Sequence, residues 1–258
     1  MSRRWRTPGL CAALAALLLA MTGCALLPKE PVPTRGFWLR YEKPAAADRD
    51  EARFLKQWIL ADMIVDGLND YVDLPHLVTV VARSCHGEGS GYDPQARRID
   101  FCYDDLGKQR ELFSRAESFL HDEDLAELVY EMLYHEVGHA LIDALNLPAD
   151  GDRAEGDAAD RFAQLMLNGS KEGAESLLLA ARAHDLSAAF APTPSEDPAP
   201  SEAHAPPAAR AESHRCAVYG ASPARHKNLA TPARATCPAT WTHTRDTWTH
   251  DLAPLLRE

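Results

Sequence analysis

The hydrophobic residues of the first hundred positions follow β-strand patterns in three short segments. Residues 36–42 (GFWLRYE) alternate between apolar and polar side chains, and residues 77–82 (LVTVVA) are mostly β-branched. Residues 98–103 (RIDFCY) form the third segment. The connection at residues 87–94 contains three glycines and ends in Asp-Pro, which indicates a turn. We therefore predict that residues 77–82 and 98–103 pair as a β-hairpin.

Helical spacing of hydrophobic residues covers most of the remaining chain. It is first seen at residues 49–70, between the first two predicted strands. Four more helices are predicted after the third strand, at residues 106–120, 122–147, 155–168 and 171–190. Strands that come first and helices that follow indicate an α+β fold, in which a small N-terminal β-sheet precedes a helical core.

Proline-rich stretches divide the chain into its parts. Residues 24–35 are expected to form a tether, and residues 191–209, which combine proline with Ser, Glu and Ala, are expected to form a linker or a flap. We expect one domain at residues 36–190, completed by the segment 210–258. A loop without function is the alternative for residues 191–209.

Residues 1–23 have the layout of a secretory signal. Three arginines precede an apolar run from Leu10 to Met21, which is too short to span a bilayer. Cys24 follows Met-Thr-Gly in a pattern that resembles a bacterial lipobox, so we expect cleavage before Cys24 and lipidation of its thiol. Ala25 differs from the usual inner-membrane retention residues, which favours the outer membrane, facing the periplasm. An ordinary signal peptide with a chance cysteine is the alternative.

Composition and charge narrow the class of protein. The chain has 258 residues, of which 46% are hydrophobic, so it can form a globular core. It has 27 basic and 38 acidic residues and a formal net charge of -11, which falls to -14 when the arginines of the signal are removed. An acidic surface repels phosphate backbones, so we expect no nucleic-acid partner.

Four cysteines remain after the signal and the predicted lipid anchor at Cys24. They are Cys85, Cys102, Cys216 and Cys237. An even number in an oxidising compartment favours disulfides, and four cysteines permit three pairings. We favour Cys85 with Cys102 and Cys216 with Cys237, because each pair encloses one local segment.

The segment HEVGH at residues 135–139 is the strongest chemical signal in the sequence. It lies in a predicted helix, so His135 and His139 project from the same side and can bind one metal ion. Glu136 lies beside that ion, where it can act as the general base, as in metalloproteases with an H-E-x-x-H helix. This donor set suits Zn²⁺, which we predict as the cofactor. Two exposed helix histidines without a metal are the alternative.

Gly138, inside the same motif, is unusual for a helix. A glycine there costs about 1 kcal/mol relative to alanine. Close approach of another backbone or of the substrate would explain its presence.

A catalytic zinc site usually takes three protein ligands and keeps one open position. Glu155 is our candidate for the third ligand, because it is the only acidic residue on the inward face of the predicted helix at residues 155–168. Asp160 is a candidate to hydrogen-bond a zinc-binding imidazole. Alternatively, Glu155 only adds to the acidic first turn of this helix.

Further motifs accompany HEVGH along the chain. They are GYDP at residues 91–94, IDFCY at 99–103, DAADRFA at 157–163, His204, Arg210, Cys216, Tyr219-Gly220, Arg234 and Cys237. In this order and spacing the chain resembles a bacterial family of metallopeptidases of otherwise unknown function, related in motif to the gluzincin branch of zinc peptidases. The resemblance implies a zincin-like metalloprotease core, with His135 and His139 as zinc ligands and Glu136 as the general base.

The sequence departs from the family pattern at one position. The family has a Glu immediately before its D-A-A-D segment, where this chain has Gly156. The nearest glutamate is Glu155, which remains our choice for the third ligand, with Asp157 as the alternative. By their placement in the family, His204 and Arg210 are expected to reach the cleft and bind substrate or an oxyanion. Solvated loop residues are the alternative for these two.

Together these features predict a zinc metallopeptidase of the cell envelope that cleaves peptide or protein substrates. A lipid on Cys24 would hold it at the membrane. The alternative is an envelope binding or assembly lipoprotein whose zinc site is structural or vestigial, and a metal-free adaptor is a third hypothesis. The intact Glu136 favours catalysis, because a structural site needs no general base.

Overall fold

The computed structural model of the protein describes residues 32–191 and 204–257. The predicted signal at residues 1–23, Cys24, most of the tether and much of the predicted linker lie outside the described residues. The described residues from Pro33 onward belong to one compact unit. None of the described helices is long and apolar enough to cross a membrane.

Four short strands form one sheet, in the order β1-β2-β4-β3. They are β1 (Gly36–Tyr41), β2 (Leu77–Arg83), β3 (Gly91–Asp93) and β4 (Arg98–Cys102). β2 pairs in parallel with both β1 and β4, whereas β3 pairs antiparallel with β4 and is the outermost strand on that side. The two central strands are the most buried, which explains their β-branched and aromatic composition.

The prediction of a hairpin between residues 77–82 and 98–103 is wrong. β2 and β4 run parallel, with Val80 opposite Ile99, and the hairpin of this region joins β3 to β4. The sequence did not reveal β3 because this strand has only three residues, all half-buried, and no hydrophobic pattern. The glycine-rich connection therefore contains a strand as well as a turn.

The described part of the chain also contains eight α-helices. They are α1 (Arg49–Gln57), α2 (Leu60–Tyr71), α3 (Tyr103–Arg115), α4 (Asp122–Leu145), α5 (Asp152–Leu167), α6 (Lys171–Ala189), α7 (Pro207–Ala221) and α8 (Cys237–Leu252). A small sheet followed by helices confirms the α+β class. The four helices predicted after the third strand are confirmed as α3 to α6, with ends that differ by up to five residues.

The single helix predicted at residues 49–70 is two helices. The chain breaks at Ile59, whose backbone has a φ of 48° in the left-handed region. A β-branched residue is rare in this conformation. The apolar spacing continues across the break because α1 and α2 both pack on the same core, so the sequence pattern alone indicated one helix.

α4 is the central helix of the domain. It packs against α5 and α6 on one side and against β3 and β4 on the other. Leu125, Val129, Leu133, Val137 and Leu141 on this helix are all fully buried. This burial fixes the orientation of α4 and therefore of the HEVGH segment.

The C-terminal segment is more ordered than the sequence suggested. α7 begins at Pro207, inside the stretch predicted as a linker, and packs against α6 and α8. A disulfide between Cys216 and Cys237 joins α7 to the start of α8, and a second disulfide joins Cys85 to Cys102. Both predicted pairings are confirmed.

Candidate metal centre

His135 and His139 lie one turn apart on α4 and face the same cavity. Their Nε2 atoms are 3.3 Å apart. His135 is buried, and Glu136 between them is only 8% exposed. The buried apolar positions of α4 hold these polar side chains at the cavity wall, as the helical spacing predicts.

A third imidazole joins this pair from a distant part of the chain. His204, three residues before α7, places its Nε2 atom 2.9 Å from Nε2 of His135. One ligand atom from each of the three histidines lies within 4.8 Å of the others. Three imidazole nitrogens that converge in this way are suited to share one metal ion.

The outer nitrogens of the two helical histidines contact carboxylates of α5. Nδ1 of His135 lies 2.8 Å from Oδ1 of Asp160, and Nδ1 of His139 lies 2.7 Å from Oε1 of Glu155. In the tautomer that donates Nδ1–H to these oxygens, each Nε2 lone pair faces the other imidazoles. Such carboxylate partners fix the orientation of metal-binding imidazoles and make them stronger ligands.

Gly138 allows α5 to come this close to α4. A Cβ atom at this position would lie 2.8 Å from Cα and 3.0 Å from the carbonyl oxygen of Ala159. A residue larger than glycine cannot fit there unless one of the two backbones moves. The close approach of another backbone, one of the two explanations proposed for this glycine, is confirmed.

Arg210 on α7 holds Asp160 from the other side. Its Nε donates to Oδ2 of Asp160 at 2.9 Å, and an Nη donates to Oδ1 at 2.6 Å. The Arg210 side chain is 17% exposed and lines the cavity beside His135. Arg210, which we expected to bind substrate, therefore also has a structural role. It fixes the Asp160 carboxylate that orients His135.

The charge states follow from burial and from these contacts. Burial raises the pKa of Glu136, although the two adjacent histidines partly oppose this effect. Burial also lowers the pKa of His204 to about 4, helped by the charges of His135 and Arg210, so this imidazole is neutral at pH 7. Burial opposes ionisation of Asp160, but His135 and Arg210 outweigh it and hold its pKa well below its usual range.

Two cavities meet at this cluster. The larger, of about 270 Å³, is lined by His135, Glu136, His204 and Arg210. The smaller, of about 250 Å³, lies toward β3 and is lined by residues 90–92 as well as by Glu136 and His204. Glu136 therefore faces open space on both sides of the histidine cluster.

A protein-family model described as "DUF4344: Putative metallopeptidase" matches residues 41–252. The chain belongs to this family. No curated protein and no solved structure matches the chain. The family covers both the HEVGH helix and the segment with His204, so membership agrees with a metal centre built from these parts.

The acidic residues predicted as ligands take different positions in this family member. Glu155 contacts Nδ1 of His139, the ring nitrogen opposite the one that faces the cluster. Asp157, the alternative ligand, belongs to none of the three candidate metal clusters found among the described residues. The third residue that groups with His135 and His139 as a possible metal ligand is His204.

Sequence reasoning also missed a second polar cluster in this member of the metallopeptidase family. Glu131, His184 and His214 come together beside the larger cavity. The one signal in the sequence was Glu131, which lies one turn before His135 on the same apolar helix. A buried carboxylate at such a position requires a partner, but the sequence could not show that the partner comes from α7.

Proposed function

We propose that the chain is a zinc-dependent peptidase with Glu136 as its general base. The observation that carries this proposal is the convergence of three imidazole Nε2 atoms beside a buried glutamate with a raised pKa. A glutamate in this place favours catalysis over a purely structural site, because a structural site needs no proton acceptor.

We assign the zinc ligands to His135, His139 and His204. Nε2 of His204 lies within 2.9 Å of Nε2 of His135, whereas Glu155 contacts the far nitrogen of His139. Three imidazoles form a donor set that zinc accepts in catalytic sites. Glu155 and Asp160 then orient the first two ligands instead of binding the metal.

In the proposed reaction, the zinc ion and Glu136 have different roles. A bound zinc ion lowers the pKa of a water molecule and polarises the carbonyl group of a substrate. The raised pKa of Glu136 makes its carboxylate a better base than an exposed one. Glu136 would accept a proton from the attacking water and then donate it to the departing amine.

The walls of the site support an extended peptide as the substrate. β3 is the outermost strand on its side of the sheet, and residues 90–92 line the smaller cavity beside Glu136 and His139. An extended chain can add to a sheet edge through main-chain hydrogen bonds. The two cavities on either side of Glu136 would then receive side chains from both sides of the cleaved bond.

Export to the cell envelope and a lipid anchor at Cys24 are also part of the proposal. The layout of residues 1–23 supports export, and the two disulfides agree with an oxidising compartment. The outer membrane, facing the periplasm, is the proposed location.

Glu136→Gln tests the proposed activity. The variant should retain zinc, as measured by elemental analysis of purified protein, because no proposed ligand changes. Its cleavage of a denatured protein should fall by at least about a hundredfold, the range of lost proton transfer. Glu111→Gln, on the exposed side of α3, is the matched control and should cleave like the wild type. Equal cleavage by wild type and Glu136→Gln would refute the assignment.

A further inference from the structure

A second group of side chains that could hold a metal ion lies beside the larger cavity, which two of its three members line. Glu131 on α4, His184 on α6 and His214 on α7 each offer one ligand atom, and these atoms all lie within 4.8 Å of one another. Glu131 lies one helical turn before His135, and this cluster shares no residue with the three histidines of the first centre. Three different helices meet at it.

Two of these atoms are buried without a hydrogen-bond partner. His214 is fully buried and Glu131 is 4% exposed. Nε2 of His214 and Oε1 of Glu131 lie 3.2 Å apart, within the distance of an ion pair, but neither atom makes a well-directed hydrogen bond to a described residue. Unpaired buried polar atoms are costly and rare in proteins. Two such atoms at this separation would both be satisfied by one cation placed between them and His184.

The Gln164 amide lies beside the outer nitrogen of His214. Its Nε2 is 3.2 Å from Nδ1 of His214 and donates to the Ser213 hydroxyl at 3.0 Å. Turning the amide over brings its oxygen to both groups, where it can accept from Nδ1–H of His214. That tautomer leaves Nε2 of His214 free to bind a metal.

We propose that Glu131, His184 and His214 bind a second divalent cation. Two imidazoles and one carboxylate form a donor set typical of zinc and related borderline metals, with a fourth position open toward the cavity. The ion would join α4, α6 and α7 through ligands that differ from those of the proposed catalytic centre.

Arg210 lies near this cluster, but its positive charge is compensated elsewhere. Its Nη2 lies 3.9 Å from Oε1 of Glu131, whereas it donates two hydrogen bonds to Asp160. Arg210 therefore makes no hydrogen bond to Glu131, and the Glu131 carboxylate remains available to a cation. A cation at the second cluster would fix Glu131 and, next to it, the guanidinium that holds Asp160 against His135.

Metal titration of the folded, metal-free protein tests this proposal. Zn²⁺ is added to wild type and variants, and bound metal is counted by calorimetry and elemental analysis. We expect two equivalents for wild type, one for His184→Ala, one for His139→Ala and none for the double variant. His243→Ala, an exposed histidine on α8, is the control and should bind two equivalents.

Glu131→Gln serves as a second variant in case His184→Ala does not fold by circular dichroism. It keeps the shape of the side chain but removes the charge, so binding at the second site should weaken by at least about tenfold. One equivalent in wild type that His139→Ala loses and His184→Ala keeps would overturn the second site and leave the peptidase proposal standing. One equivalent lost only in His184→Ala would support the second site and overturn the first.

Discussion

His135 and His139 each use one ring nitrogen for a carboxylate and turn the other toward the cluster. Asp160 and Glu155 occupy the outer nitrogens, at 2.8 and 2.7 Å. In the proposed centre, a carboxylate in this place would set the ring orientation without a bond to the metal. Loss of a ligand should therefore lower the zinc affinity more than loss of a carboxylate that only orients a ligand.

Substitutions of His204 and Glu155 measure this difference in zinc affinity. His204→Ala removes a proposed ligand and should abolish tight binding, whereas Glu155→Gln should weaken it about 10- to 100-fold. Asp157→Asn should leave the affinity unchanged, because this residue is in no candidate cluster among the described residues. The measurement is competition with a chelator of known affinity. A larger loss for Glu155→Gln than for His204→Ala would return the ligand assignment to Glu155.

The distance along the sequence between the residues of the site determined which of them could be predicted together. His135, Glu136 and His139 lie within five residues of one helix, so their mutual positions follow from helical geometry. His204 lies 65 residues beyond His139, after a proline-rich stretch, and its approach depends on tertiary packing. A sequence pattern also cannot show which ring nitrogen of His139 is in contact with Glu155.

The contact between α4 and α5 is the structural basis of the metal centre. α5 supplies the carboxylates of Glu155 and Asp160, and these reach the histidines only because the two backbones touch at Gly138 and Ala159. A small increase in helix separation would lengthen both hydrogen bonds at once. The site is therefore more sensitive to this contact than to the stability of either helix alone.

Gly138→Ala should destabilise the protein and weaken zinc binding together. Alanine improves helix propensity by about 1 kcal/mol, but forcing a methyl group against the backbone of α5 costs about 1 to 3 kcal/mol. Gly67→Ala on α2 is the matched control, since its Cβ would meet no atom within 4 Å, and it should be stabilising. Thermal unfolding and zinc affinity check both. A Gly138→Ala variant as stable as Gly67→Ala would contradict the importance of this helix contact.

Some helices and strands could be predicted from the sequence and others could not. α4, α5 and α6 have long apolar patterns that fix their existence. The parallel pairing of β2 with β4 and the break at Ile59 depend on how segments pack after they form, and neither has a local signature.

At the scale of the whole molecule, the proposed anchor sets where the peptidase works. Val32, at the start of the described residues, is eight positions after Cys24, so the domain would lie close to the membrane that holds the lipid. Substrates would then be proteins that pass near that surface.

Cys24→Ser tests the anchor in cells that express the full chain. The serine variant should move from the membrane fraction to the soluble periplasmic fraction and should no longer incorporate labelled fatty acid. Its purified domain should cleave peptides like the unsubstituted domain, because Cys24 is not one of the residues assigned to the site. Unchanged membrane association and labelling would show that Cys24 is not lipidated.

The disulfide between Cys216 and Cys237 covalently joins α7, which carries Arg210 and His214, to α8. A bond that closes a loop of this size contributes about 3 kcal/mol by restricting the unfolded chain. Before oxidation this contribution is absent, so a chain with reduced Cys216 and Cys237 would unfold more readily than the oxidised protein. Under the proposed export, the protein would reach its full stability only in the oxidising compartment where the proposed peptidase works.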